Sequence, residues 1–88
     1  MKYMLCKNEV VEYSEWRKVF DAHAEAHRES GLELLHLLRD LDNPNVVVFL
    51  FRVDDMAKAR AFIGAPNAET AAERSGVVGK TEIQFLSD

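Results

Sequence analysis

The sequence predicts an α+β fold of the ferredoxin-like kind: a β-α-β-β-α-β order, an antiparallel sheet and helices on one face. Three observations predict it. A long helical pattern is bracketed by Ser14 and Gly31, and a compact turn, Asp42-Asn43-Pro44-Asn45, joins two apolar runs as a hairpin. The third is length, since 88 residues allow one small domain spanning 1–88.

The elements follow in order. Tyr3-Met4-Leu5-Cys6-Lys7 is short, β-prone and ends at Asn8, which reads as the first strand. Ser14 then offers a side-chain oxygen to the orphan amides of a helix start, Glu15 sits in the first turn, and Gly31 takes the turn past the end. Leucines dominate the second strand from Leu32 to Leu38, interrupted by Glu33 and His36. Val46 to Val53 is the clearest strand of all. Asp54 or Asp55 caps a second helix with an apolar stripe of Met56, Ala59, Phe62 and Ile63, and Gly64 stops it. Pro66 suits the first turn of another short helix with Ala68, Ala71 and Ala72 on one side. Val77-Val78 and then Thr81 to Leu86 form the last strand.

The third strand is apolar on both sides. Val47, Phe49, Phe51 and Val53 point one way and Val46, Val48 and Leu50 the other, while the second strand sets Leu35 and Leu37 opposite Leu34 and Leu38. A sheet with one wet face should alternate apolar with polar residues. Two helices cover one face only, so a second copy of the chain is the simplest cover for the other, as an isologous homodimer.

Composition narrows the partners. Net charge is −4 and no basic stripe tracks a phosphate backbone, so nucleic acid is excluded as a partner. No apolar run approaches the roughly 18 residues of a membrane helix, so no membrane partner is expected. Cys6 is the single cysteine and suits a reducing compartment; with no apolar leader after Met1-Lys2-Tyr3, the expected location is cytoplasmic.

The helix Tyr13-Ser14-Glu15-Trp16-Arg17-Lys18-Val19-Phe20-Asp21-Ala22-His23 resembles the first helix of small dimeric α/β-barrel proteins. Gly31-Leu32, Asn43-Pro44-Asn45, Asp55 to Phe62 and Ser75-Gly76-Val77-Val78-Gly79 extend the resemblance over nearly the whole chain. That superfamily includes antibiotic-biosynthesis-type monooxygenases, stress-responsive barrel proteins, haem-handling members and many uncharacterised small proteins. The resemblance implies the dimeric barrel, and a monooxygenase-like activity with Trp16 as an aromatic wall.

Helix one also carries the candidate chemistry. A step of about 100° per residue gathers Tyr13, Trp16, Val19, Phe20, His23 and His27 into one stripe, opposite Glu15, Arg17, Lys18, Asp21, Glu25, Arg28 and Glu29. His23 and His27 are thus the candidate catalytic bases, one turn apart on an apolar face. Trp16, Phe20, His36 and Arg52 are the candidate ligand-binding residues. If the His36 face of strand two looks toward helix one, His23, His27 and His36 converge as a three-histidine site for a divalent metal; otherwise no cofactor is required.

Three readings stay open. The cleft between helix one and the sheet holds a small apolar or aromatic substrate, or it binds a metal or small ligand without turnover, or the histidines satisfy one another in a purely structural dimerisation module. Cys6 reads as a small core residue, Asp54-Asp55 as a helix cap, and Gly79-Lys80-Thr81 lacks the upstream glycine of a phosphate loop.

Overall fold

In the computed structural model, which describes residues 1–65 and 74–88, strand β1 (Lys2–Val10) is followed by helices α1 (Tyr13–Ala22) and α2 (Ala24–Glu29). Strands β2 (Leu32–Arg39) and β3 (Val46–Val53), helix α3 (Met56–Ile63) and strand β4 (Val77–Ser87) complete the order. The short helix expected around Pro66, Ala68, Ala71 and Ala72 lies outside the described residues. The sheet runs β2-β3-β1-β4, and every neighbouring pair is antiparallel. The two central strands come from opposite ends of the hairpin and the chain, as the split ferredoxin-like arrangement requires. No described helix is long and apolar enough to cross a membrane.

The expected single helix from Ser14 to Gly31 is divided at His23. In an uninterrupted helix the His23 amide would donate to the Val19 carbonyl. Here it donates to Phe20 O at 3.1 Å, and Val19 O is met at 2.8 Å by Nδ1 of the His23 ring. A side chain has displaced the backbone from its own helical acceptor. The helix also starts two residues earlier than the expected Ser14 cap: Trp16 N–H donates to Glu12 O at 3.1 Å, so Glu12 is the cap residue. Ser14 is already helical, and its hydroxyl donates to the Glu12 carboxylate at 3.2 Å.

Other punctuation is as expected. Gly31 adopts φ +73°, and a Cβ there would lie 3.1 Å from Asp55 N, so a larger residue is excluded by both conformation and space. Asp55 caps α3 by accepting from Lys58 N–H at 3.1 Å.

Ladder pairing sorts the side chains, because directly opposed residues share a face. Val47, Phe49, Phe51 and Val53 pair across β1 and β2 and are buried beneath the helices with Met4, Cys6, Trp16 and Leu32. Phe51 is 1% exposed, and its burial contributes about 2–3 kcal/mol. Rows such as His36-Leu50-Leu5-Gln84 and Leu38-Val48-Lys7-Glu82 lie on the reverse face, opposite the Phe49 and Phe51 side that the described helices cover.

Two irregularities interrupt the ladders. In β2 the register shifts between Leu34, opposite Phe51, and His36, opposite Leu50, leaving Leu35 as an extra residue. Between β1 and β4, Lys7 opposes Glu82 but Glu9 opposes Val78, so Gly79, Lys80 and Thr81 face Asn8 alone. Bulges of this kind re-aim side chains. Both bear on the site.

Candidate functional site

Trp16 and Phe20, one turn apart on α1, stack with ring centroids 4.8 Å apart. Phe20 meets Phe49 at 5.2 Å and the His27 ring at 5.0 Å. His27 in turn contacts Phe51 at 5.1 Å and Phe62 of α3 at 5.5 Å. These rings line one side of a cleft of about 910 Å³ between the helices and the sheet. Clefts that hold small organic molecules commonly occupy about 300–1,000 Å³ and are mainly aromatic and apolar.

The two helical histidines differ in their surroundings. Burial, and secondarily the proximity of His23, pushes the His27 imidazolium down to about 4. At neutral pH this ring is uncharged, and it forms no hydrogen bond with a described residue. His23 is instead held by its contact with Val19 O. A carbonyl can only accept, so Nδ1 carries the proton and, in the neutral ring, Nε2 is left as an acceptor in the cleft wall.

Asn8 was not expected here, since it reads as the end of the first strand. The strand continues to Val10, and the alternation Met4, Cys6, Asn8, Val10 carries the amide to the covered face. Asn8 is 5% exposed, lines the cleft, and its Oδ1 has no hydrogen-bond partner among the described residues. Such an atom costs about 1–3 kcal/mol when left unsatisfied. The legible signal was its parity with three apolar core positions. Cys6, beside it, is a core residue: burial raises its thiol to about 12, so the nucleophilic thiolate is not populated near neutrality.

Trp16, Phe20, His23 and His27 therefore come together in the cleft. His36 and Arg52 do not. The β2 bulge aligns His36 with Leu50 on the reverse face, with the sheet between it and the other two histidines. The three-histidine metal site is corrected on that ground, and no group of three potential metal ligands occurs among the described residues. Arg52 shares the reverse face with Glu33, opposite it in the ladder. Its guanidinium is ion-paired to Glu33 and lies 3.4 Å from Asp54 through Nε, so it is engaged away from the cleft.

No family model matches the sequence, and no curated protein matches it. Solved structures do. SnoaB, a cofactor-independent oxygenase from Streptomyces nogalater, superposes with a TM-score of 0.74 at 20% identity, over 99% of this chain and 91% of that one. A Nitrosomonas europaea protein assigned as an antibiotic biosynthesis monooxygenase gives 0.71 at 14%, over 100% and 98% of the two chains. An uncharacterised NIPSNAP domain protein from Burkholderia xenovorans gives 0.70 at 17%, over 100% and 94%. At these identities the likeness is one of fold. The chain has the ferredoxin-like α+β fold of antibiotic biosynthesis monooxygenase-like proteins.

Proposed function

We propose that the cleft binds a small, planar hydroxyaromatic molecule, and that the working unit is a homodimer formed through the reverse face of the sheet. The observation that carries the ligand reading is the joining of an unbroken aromatic wall to a buried, unpartnered Asn8 Oδ1 in a cleft of about 910 Å³. Rings stack against rings, and the Asn8 oxygen accepts a hydroxyl hydrogen that no described residue supplies. The dimer reading is supported by apolar side chains on the reverse face, Leu38 at 60% and Leu86 at 37% exposed among them.

The same arrangement supports a chemical role. His23 Nε2 is the general base for a substrate with two ring hydroxyls: one hydroxyl donates to Asn8 Oδ1, and His23 takes the proton of the other, giving an electron-rich phenolate that dioxygen oxidises. His27, already neutral and surrounded by rings, keeps the wall apolar rather than moving the proton. The name of the Streptomyces neighbour, a cofactor-independent oxygenase, agrees with this chemistry.

Trp16 is the only tryptophan, so its fluorescence reports the cleft directly. Titration with 2-naphthol is expected to quench it saturably, and Asn8→Leu to weaken 2-naphthol binding about fivefold or more while leaving naphthalene unaffected. Absence of quenching up to the solubility limit would contradict the ligand reading. Dioxygen uptake with a dihydroxynaphthalene, above the uncatalysed rate and lost in His23→Phe, tests the base. Binding without such uptake would make the protein a non-catalytic carrier.

A further inference from the structure

The electrostatics of the cleft differ from those of the chain as a whole. The protein carries 15 acidic residues and a net charge of −4, yet no Asp or Glu lines the cleft among the described residues. Two cations do, Arg74 and Lys80. Neither is ion-paired with a described residue, whereas Arg17, Lys18 and Arg52 are each matched with a carboxylate. Both are solvent-exposed, so they stand at the rim, above the aromatic wall.

The backbone places one of them deliberately. Lys80 sits at the centre of the three-residue stretch that β4 sets opposite Asn8, and Gly79 at φ +72° begins that excursion. A residue of regular alternation would have been paired in the ladder. Instead Lys80 is on the cleft, across the same irregularity from the buried amide.

We infer that the ligand is an aromatic acid: its ring system lies against Phe20 and Phe51, and its carboxylate meets Arg74 and Lys80 at the rim. The inference rests on the aromatic-ligand reading above and narrows it to one substrate class. A guanidinium and an ammonium both donate charge-assisted hydrogen bonds to a carboxylate, and an exposed pair also draws the anion toward the mouth. Among the described residues, the lack of acidic side chains in the walls removes the repulsion that the acidic surface would impose.

The test compares 2-naphthoate with its uncharged amide, 2-naphthamide, by quenching of Trp16 in the intact protein. The acid is expected to bind about tenfold more tightly than the amide at low salt, the difference that one charged hydrogen-bonding contact supplies. Raising the salt to about 0.3 M should shrink that preference, because exposed charges are screened over a Debye length. Arg74→Gln combined with Lys80→Gln should abolish the preference, bringing the acid's affinity down to that of the amide. Acetate should not compete, since the ring supplies much of the binding. Equal affinities for acid and amide, or a preference that survives the double substitution, would overturn the inference while leaving the aromatic cleft standing. If neither probe binds, the cleft reading fails and this inference fails with it.

Discussion

The two faces of β3 divide the molecule's labour. Phe49 and Phe51 are 7% and 1% exposed beneath the helices, while Val48 and Leu50, alternating with them, lie half-buried on the opposite face, away from the described helices. The covered face is aromatic, and it keeps a neutral imidazole and an unsatisfied amide beside a cavity. The reverse face is aliphatic at its centre, with ion pairs Lys7–Glu82 and Arg52–Glu33 among its rows. One strand thus presents a rigid ring lattice suited to a small molecule and a flatter aliphatic surface suited to another protein surface. Apolarity alone does not distinguish them; ring content and the presence of a gap do.

The comparison can be broken first where burial is deepest. Phe51→Ala removes a side chain that touches Phe20, Phe49 and His27 and should cost about 3–5 kcal/mol in denaturant unfolding. A loss near that of Leu50→Ala would mean the two faces are equivalent. Leu50→Glu should instead leave the far-ultraviolet circular dichroism intact and convert a dimer to a monomer by light scattering, because it places charge at the centre of the proposed contact.

Acid provides the next contrast. His27 has a folded pKa of about 4 against an ordinary 6.5, so between those values the unfolded chain binds more protons. Stability is full above about pH 6.5 and is lost as pH falls toward 4, by about 2–3 kcal/mol attributable to this ring. His27→Phe should flatten that part of the stability–pH curve relative to the parent chain. The smallest effect falls on Asn8. Asn8→Leu should stabilise the unliganded protein by about 1 kcal/mol in thermal or denaturant unfolding while weakening the hydroxyaromatic ligand, since it removes a buried orphan acceptor.

Much of the fold was legible because local rules and tertiary needs agree. The turn at Asp42 to Asn45, the positive-φ glycine at 31 and the cap at Asp55 each have a residue-specific physical cause. The aromatic stripe of α1 was legible by period alone, and it brings Trp16, Phe20, His23 and His27 to the cleft. What alternation misplaced was His36, because one extra residue at Leu35 reverses every later side chain in the strand. Asn8 follows from alternation once β1 is extended to Val10, whereas Lys80 depended on a second bulge, created by pairing between strands some 70 residues apart. The break at His23 arises from competition between its ring and its own amide for Val19 O. Both choices are decided by three-dimensional neighbours rather than by propensity.

The central claim is that the covered face, and not the reverse one, is the ligand site. A crystal structure with 2-naphthol tests it most directly. The account predicts the naphthalene ring against Phe20 and Phe51, with its hydroxyl about 3 Å from Asn8 Oδ1. A ring bound among Leu38, Val48 and Leu50, or a cleft left empty at saturating 2-naphthol, would contradict it.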